Sequence, residues 1–376
     1  MKKPQKANYD VDPQIETGMI YVKVIKAASS TTGGVARRVC VHFQLNSCTN
    51  AVFPAGKNEP GLWANHRSFY KLWKAINRLK KPKFMFTVIR DPAKRSMSYY
   101  YHFTATKKSR TFFDGIQNIT IPKGEPHDGE KLEKIKHQKD FQYHYVCLPL
   151  DEANFRNGGE TVEQCLDRYD VVGLAERYDE SMIMLRTKMI RMLGKDIPLS
   201  RFWYLSSKVA SDRGGRNDGS GFKFVHHKPL AKESQPLQDY IANEFVAQNK
   251  NDYALIEVVN AKLDKFIKTM GKAKFASELA LFKVQMKVAS AVCGKNANNV
   301  VMQCYWNDNG CNYLCLDMVA KHLEKVDIDL FEVAQDLKGH SVVLQMRNMW
   351  SIIMDKMQAE NPRPAVYNYL SKKRLL

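Results

Sequence analysis

The stretch Tyr21-Val22-Lys23-Val24-Ile25-Lys26-Ala27-Ala28-Ser29-Ser30-Thr31-Thr32 most narrows what this chain can become. It begins as a β-branched apolar run, suited to a buried strand, and ends as a small, hydroxyl-rich turn that can open a helix. A helix start offers backbone N–H groups and the positive end of its dipole, so a strand that enters a helix this way can cradle an anion. Small side chains let a phosphate approach the backbone, and Lys26 adds a mobile charge. The same Ser/Thr cluster would also serve as a plain helix cap. The spacing Gly-x-x-x-x-Gly-Lys-[Ser/Thr] is absent here, so this is not a Walker A loop.

A second stretch repeats the arrangement. Phe84-Met85-Phe86-Thr87-Val88-Ile89 reads as a buried strand and stops at Arg90-Asp91-Pro92, with proline placed for a first helical position. An arginine in this place lies at the carboxyl edge of a sheet, where open α/β sheets bind ligands. Ser98 follows about two helical turns later. A guanidinium forks two phosphate oxygens, and a nearby hydroxyl completes such a site. Pairing of Arg90 with Asp91 or another carboxylate is the competing reading.

Between these anchors the pattern alternates. Residues 1–18 read as a polar arm. Met19 to Ile25 reads as a strand, Thr31 to Leu45 as a helix weakened by Gly33 and Gly34, and 46–61 as a loop. The run Asn65 to Tyr70 leads into an expected helix through Leu79, broken by Lys80-Lys81-Pro82-Lys83, and another helix is expected over Ala93 to Phe103. Residues 104–130 form a long polar insertion, followed by a charged helix over Glu130 to Tyr145. Asp170 to Leu174 reads as a third strand. Asp179 to Leu193 is an amphipathic helix with Met182, Leu185, Met189 and Met192 on one side, ordinary core patterning. Residues 206–220 form a Gly- and Arg-containing loop, and Leu237 to Gln248 and Asp252 to Met270 are helices. Strands separated by helices predict an α/β fold: a central parallel sheet covered by helices on both faces. After Gly271 three helical stretches, 275–292, 316–325 and 330–357, predict a mainly helical C-terminal extension. The expected division is therefore an arm over 1–18, a main domain over 19–270 and an extension over 271–376.

With 376 residues, the chain has ample length for a large core. Its 58 Lys and Arg against 39 Asp and Glu give a net charge of +19, which favours anionic partners such as nucleotides, acidic glycans, nucleic acid or anionic membrane. A basic surface that is merely solvated would show the same excess. No apolar run approaches the roughly 20 residues that span a bilayer, and no apolar segment follows the basic N-terminus, so neither a membrane anchor nor a secretory signal is expected. Eight cysteines in a chain of this length do not suggest a disulfide framework. Cys293, Cys304, Cys311 and Cys315 lack a Cys-x-x-Cys pair, so disulfides or buried thiols are favoured over zinc.

The two motifs together resemble the nucleotide-binding signatures of the carbohydrate sulfotransferases that use 3′-phosphoadenosine 5′-phosphosulfate (PAPS). Lys26-Ala27-Ala28-Ser29-Ser30-Thr31 resembles that family's 5′-phosphosulfate loop, and the run from Arg90-Asp91-Pro92 through Ser98-Tyr99-Tyr100-Tyr101 resembles its 3′-phosphate motif. The second run is most similar to heparan sulfate and uronyl 2-O-sulfotransferases. The first is equally similar to galactose 3-O-sulfotransferases. Asn65-His66 stands where these Golgi enzymes carry their catalytic histidine, and Val172-Gly173-Leu174-Ala175-Glu176 resembles their Val-Gly-x-x-Glu strand and helix. The resemblance covers about residues 19–267.

The resemblance implies a P-loop-NTPase-like sheet, PAPS as donor and no metal. It also implies a glycan acceptor, anionic or neutral, and no nucleic acid partner. It assigns His66 as general base and Lys26 as stabiliser of the departing 3′,5′-ADP. The backbone of residues 27–31 with Ser29, Ser30 and Thr31 would hold the 5′-phosphate, and Arg90 and Ser98 the 3′-phosphate. It implies a Golgi lumen location for a chain that is itself soluble. The loop Lys208 to Arg216 would close over the nucleotide, and Lys107, Lys108, Arg110, Lys131, Lys134 and Lys136 are candidates for an acceptor groove. The sequon Asn118-Ile119-Thr120 matters only in a secretory setting. Three positions depart from the family: Ala27 replaces a threonine, Ile25 the histidine of the galactose enzymes, and Ala64 a second histidine of the 2-O-sulfotransferases. Two further readings belong to other classes: a non-catalytic polyanion-binding protein on the same fold, and a P-loop kinase-like phosphotransferase.

Overall fold

The computed structural model describes residues 18–43, 45, 48, 62–66, 68–69, 83–101, 131, 134–136, 138–147, 161–194, 196–205, 229–293, 313, 315–317 and 319–320. While Gly18, expected in the N-terminal arm, opens the first strand, residues 1–17 of that arm, the long insertion with its sequon, and the loop 208–216 lie outside these residues. So do Lys107, Lys108, Arg110, Cys304, Cys311 and the expected helix 330–357.

Among the described residues, four parallel strands form the centre: β1 (Gly18–Val22), β2 (Leu62–Asn65), β3 (Lys83–Ile89) and β4 (Val171–Leu174), in the order β2-β1-β3-β4. Alternate residues of β1 enter opposite cores. Met19 and Tyr21 join Phe84, Phe86, Val88 and Val171 on one face. Ile20 and Val22 join Met85, Ile89, Val172 and Leu174 on the other. Burial on both faces explains why these strands read as unbroken apolar runs. The Tyr21 and Phe86 rings stack across the β1–β3 pair with centroids 4.9 Å apart.

Two expectations shift at their ends. Strand β1 stops at Val22, three residues short of the predicted run, and the helix begins at Ser29 rather than Thr31 as α1 (Ser29–His42). β2 is missed by the sequence pattern, because four residues reading Leu-Trp-Ala-Asn on a sheet edge carry too little periodicity. The helix after β3 is α2 (Pro92–Tyr99), with proline in its first turn and the Asp91 side chain accepting from the Lys94 N–H at 2.8 Å.

The predicted helix over Glu130 to Tyr145 is interrupted. Residues 138–140 leave the helix, Asp140 takes φ 41°, and α3 (Phe141–Val146) starts afresh. α4 (Val162–Leu166) opens with a Thr161–Gln164 capping box and leads to β4. α5 (Tyr178–Leu193) buries Met182, Leu185 and Met189, while Met192 in its last turn is exposed. α6 (Gln235–Tyr240) runs through a π-helical segment, Ile241–Phe245, into α7 (Val246–Gln248). α8 (Lys250–Met270) ends at Gly271, whose φ is +92°, and α9 (Lys272–Cys293) follows.

α9 packs against the same core as the sheet. Phe275, Phe282, Ala289 and Cys293, with Leu316 and Ala320 beyond them, lie in one cluster with Met19 and Phe86. The Trp203 indole N–H donates to Gln285 Oε1 at 2.8 Å. The buried Arg38 guanidinium reaches the Asp317 carboxylate at 2.6 Å, the Trp203 carbonyl at 2.6 Å and the Ser200 carbonyl at 2.8 Å.

The expectation that the cysteines make no disulfide framework is corrected, while for Cys293 and Cys315 the disulfide, one of the two favoured readings, holds. Among the described residues, three disulfides join Cys40 to Cys48, Cys147 to Cys165 and Cys293 to Cys315. Sequence separations of 8, 18 and 22 make all three local staples, a pattern that a count of cysteines does not display.

Candidate active site

The strand order creates the crevice. From β1 the chain moves outward to β2, and from β3 it moves the other way to β4, so the sheet's switch point lies between β1 and β3. Ligands of open α/β sheets bind outside the carboxyl ends of the strands at such a point. Lys26 follows β1, Arg90 follows β3 and His66 follows β2.

The turn after β1 is built for close approach. Lys26 and Ala28 both adopt left-handed backbone, φ 66° and 56°. This conformation is uncommon for residues with a Cβ and clusters at functional turns. Ala28 is the N-cap of α1 without a side-chain cap, and the first intrahelical bond runs from the Thr32 N–H to the Ala28 carbonyl at 2.9 Å. Ser29, Ser30 and Thr31 therefore form the first turn, whose N–H groups lead the helix dipole. Ser29 is buried, and Ser30, Thr31, Lys26 and Ala28 are half-buried. The Thr32 hydroxyl meets the Tyr178 hydroxyl at 2.9 Å and fixes this turn against α5.

Ala27 faces the core. It is 0% exposed within the cluster containing Ile20, Trp63 and Phe69. Its N–H makes a long bond of 3.4 Å to the Val24 carbonyl. Its methyl group is thus packing, and any share Ala27 has in the cradle falls to its backbone.

Arg90 closes the crevice from the β3 side. Its guanidinium donates to the Lys26 carbonyl at 3.3 Å and lies 3.9 Å from the Glu176 carboxylate. Burial lowers its proton affinity, opposed by Glu176 and Asp91, and an arginine so placed stays charged. Glu176 also accepts from the Asp91 N–H at 3.1 Å. This gives a physical role to the last residue of the Val-Gly-x-x-Glu run: it links the end of β4 to the turn after β3. Of the two readings of Arg90, the carboxylate pairing is present, with Glu176 as the partner, and the same guanidinium reaches the lysine turn. Ser98 lies on α2, buried at 4% exposure.

His66 is exposed, directly after β2. Its Nδ1 lies 3.0 Å from the Lys23 carbonyl oxygen. A carbonyl only accepts, so Nδ1 is the donor in this contact. The Lys23 backbone sits at the start of the same turn that ends in Lys26. Histidine, lysine turn and arginine are thereby joined by two hydrogen bonds to one loop.

Two residues important to this geometry escaped the sequence pattern. Gln142 on α3 clamps the Arg90 backbone, accepting from its N–H at 2.8 Å and donating to its carbonyl at 2.6 Å. Asp252 on α8 accepts from the Gln142 and Tyr143 N–H groups at 3.2 and 2.7 Å. Neither belongs to a motif, and a buried glutamine or aspartate shows no periodicity. One expected groove residue is corrected. Lys131 is 4% exposed and pairs with Glu233 at 2.5 Å, because a lysine inside the fold needs a carboxylate partner. Lys134 is exposed, and Lys136 lies with its ammonium 5.6 Å from the Tyr240 ring centre.

The geometry defines an α/β protein whose switch point carries a left-handed, hydroxyl-rich turn that opens a helix. A model of the sulfotransferase family matches residues 8–217, more than half of the chain, and the chain belongs to that family. No curated protein matches it.

Proposed function

We propose that the protein transfers a sulfuryl group from PAPS to a hydroxyl of a carbohydrate acceptor. The observation that carries this reading is the convergence of His66, Lys26 and Arg90 on one turn at the carboxyl edge of β2, β1 and β3.

The acceptor hydroxyl loses its proton to His66 Nε2 as its oxygen attacks sulfur. The bond between sulfur and the bridging oxygen breaks, and the negative charge left on the 5′-phosphate of 3′,5′-ADP is met by Lys26. The first turn of α1, with Ser29, Ser30 and Thr31 and the backbone of Ala27 and Ala28, holds the 5′-phosphate. Arg90 and Ser98 take the 3′-phosphate, the group that distinguishes this donor from ATP. The chemistry asks for a base, an in-line hold and charge neutralisation, and these side chains and backbone groups supply all three.

The net charge of +19 supports an acidic or already sulfated glycan over a neutral one. The three disulfides support an oxidising compartment, in keeping with the secretory lumen, and no helix among the described residues is long and apolar enough to cross a membrane.

The test is a panel of glycan acceptors with labelled PAPS, run beside calorimetric titration of 3′,5′-ADP and ATP. Label transfer that vanishes in His66→Ala supports the reading. Tight 3′,5′-ADP binding without transfer to any acceptor would favour a polyanion-binding module. Tight ATP binding with no preference for 3′,5′-ADP would favour a phosphotransferase.

A further inference from the structure

Arg90 is the first residue beyond β3, and the sheet stops serving its backbone there. The last ladder bond on the β4 side runs from the Ala175 N–H to the Ile89 carbonyl at 2.8 Å. The N–H and C=O of Arg90 are instead taken by the two ends of one side-chain amide, that of Gln142, at 2.8 and 2.6 Å. A glutamine amide that both accepts from and donates to one residue imitates a neighbouring strand. Gln142 is 0% exposed, so neither of its bonds competes with water.

The amide is itself held. The Gln142 N–H and the Tyr143 N–H both donate to the Asp252 carboxylate. Asp252 in turn stands at a helix start fixed by Asp140, which accepts from the Asn251 and Asp252 N–H groups at 2.9 and 3.0 Å. α8 therefore fixes α3, α3 fixes the Arg90 backbone, and the guanidinium is left to reach across the crevice to the Lys26 turn.

We propose that Gln142 is a positioning residue for recognition of the donor's 3′-phosphate, acting through the main chain of Arg90. This rests on the assignment of Arg90 to that phosphate. The arginine sits past the end of its strand, where nothing in the ladder sets its direction. A bidentate partner on a buried helix sets it before ligand arrives, and small displacements of a binding group are costly.

The experiment compares two ligands that differ in the 3′-phosphate. Calorimetric dissociation constants for 3′,5′-ADP and 5′-AMP are measured for the full chain and for Gln142→Met, Arg90→Ala and the double variant. Gln142→Met should lower the preference for 3′,5′-ADP by about fivefold to tenfold while 5′-AMP binding stays within about twofold. Arg90→Ala should lower the preference at least as far, and adding Gln142→Met to it should change nothing more. Gln142→Asn keeps the same groups on a chain too short to span both bonds. It should also lower the preference, and it serves if the methionine variant does not fold.

An unchanged preference in Gln142→Met or Gln142→Asn, with Arg90→Ala strongly affected, overturns the proposal and leaves Arg90 in place. An unchanged preference in Arg90→Ala overturns the assignment beneath it. Equal weakening of both ligands by the Gln142 variants marks a purely structural role and also overturns the proposal.

Discussion

Asp140 and Asp252 cap each other's helices. The Asp140 carboxylate accepts from the N–H groups of Asn251 and Asp252 in the first turn of α8, while the Asp252 carboxylate accepts from those of Gln142 and Tyr143 in the first turn of α3. Each anion thus sits at the positive end of the other's helix. Asp140 pays with a left-handed backbone, φ 41°, which is why the helix expected across this region breaks there.

This arrangement has a pH signature. Burial pushes the Asp252 carboxyl up to about 6, against the backbone N–H groups of Tyr143 and Gln142 and the Arg95 guanidinium, with Asp140 adding to the rise. The folded state therefore holds this proton more tightly than the unfolded chain does. Asp252 contributes stability at the acid end that is lost as pH rises from about 4 to about 6, at most about 3 kcal/mol. Asn at this position does not titrate. In urea unfolding across that range, Asp252→Asn should gain on the parent as pH rises. A difference that stays flat with pH would mean that Asp252 titrates as an ordinary exposed carboxylate.

His66→Ala separates chemistry from binding. Loss of a general base costs about 10²- to 10⁴-fold in kcat. The ring is exposed, so stability should move by no more than about 0.5 kcal/mol, and 3′,5′-ADP affinity should stay within about twofold. The check is label transfer from PAPS at saturating acceptor beside calorimetry. Turnover that survives the substitution removes His66 from the reaction.

The parts of this site that were legible in the sequence are those where local chain chemistry and fold coincide. Met19 to Val22 and Phe84 to Ile89 are buried on both faces, so their apolar runs announced them, and the turns that follow had to carry the polar groups. Pro92 announced α2 through its fit to a first helical position, and the Asp91 cap is what the structure adds. β2 was silent because four edge residues need no pattern, although His66 at its end was found by likeness to known relatives. Gln142, Asp252 and the true setting of Lys131 were silent for another reason. Their meaning lies in partners 52, 110 and 102 residues away, and no local rule encodes a tertiary hydrogen bond.

Gly173 marks a close approach of β4 to α5. A Cβ there would lie 2.9 Å from Ser181 Cβ and 3.4 Å from Val88 Cγ2. Ser181 cannot retreat easily, since its hydroxyl accepts from the Leu174 N–H at 2.9 Å. Gly173→Ala should cost about 1–3 kcal/mol in urea unfolding, as overpacking does in a filled core. Gly173→Ala with Ser181→Gly should recover part of that loss, and failure to recover any would place the strain elsewhere.

Lys131, Glu233 and Tyr101 form a closed triangle inside the fold. The Lys131 ammonium donates to Glu233 Oε2 at 2.5 Å and to the Tyr101 hydroxyl at 3.0 Å, and that hydroxyl donates to Glu233 Oε1 at 2.5 Å. The Tyr101 ring centre lies 4.9 Å from the ammonium. Lysine and glutamate are 4% and 6% exposed, so water cannot rescue either charge. Removing one partner leaves an uncompensated buried ion, which costs about 3–5 kcal/mol, whereas replacing both by apolar groups of similar volume is often close to neutral. Lys131→Met and Glu233→Leu should therefore each destabilise strongly, and the double variant should be more stable than either. Additive losses in the double-mutant cycle would show that the two charges do not depend on each other. The coupled outcome would also explain why this lysine, though part of a strongly basic chain, is withheld from any anionic acceptor.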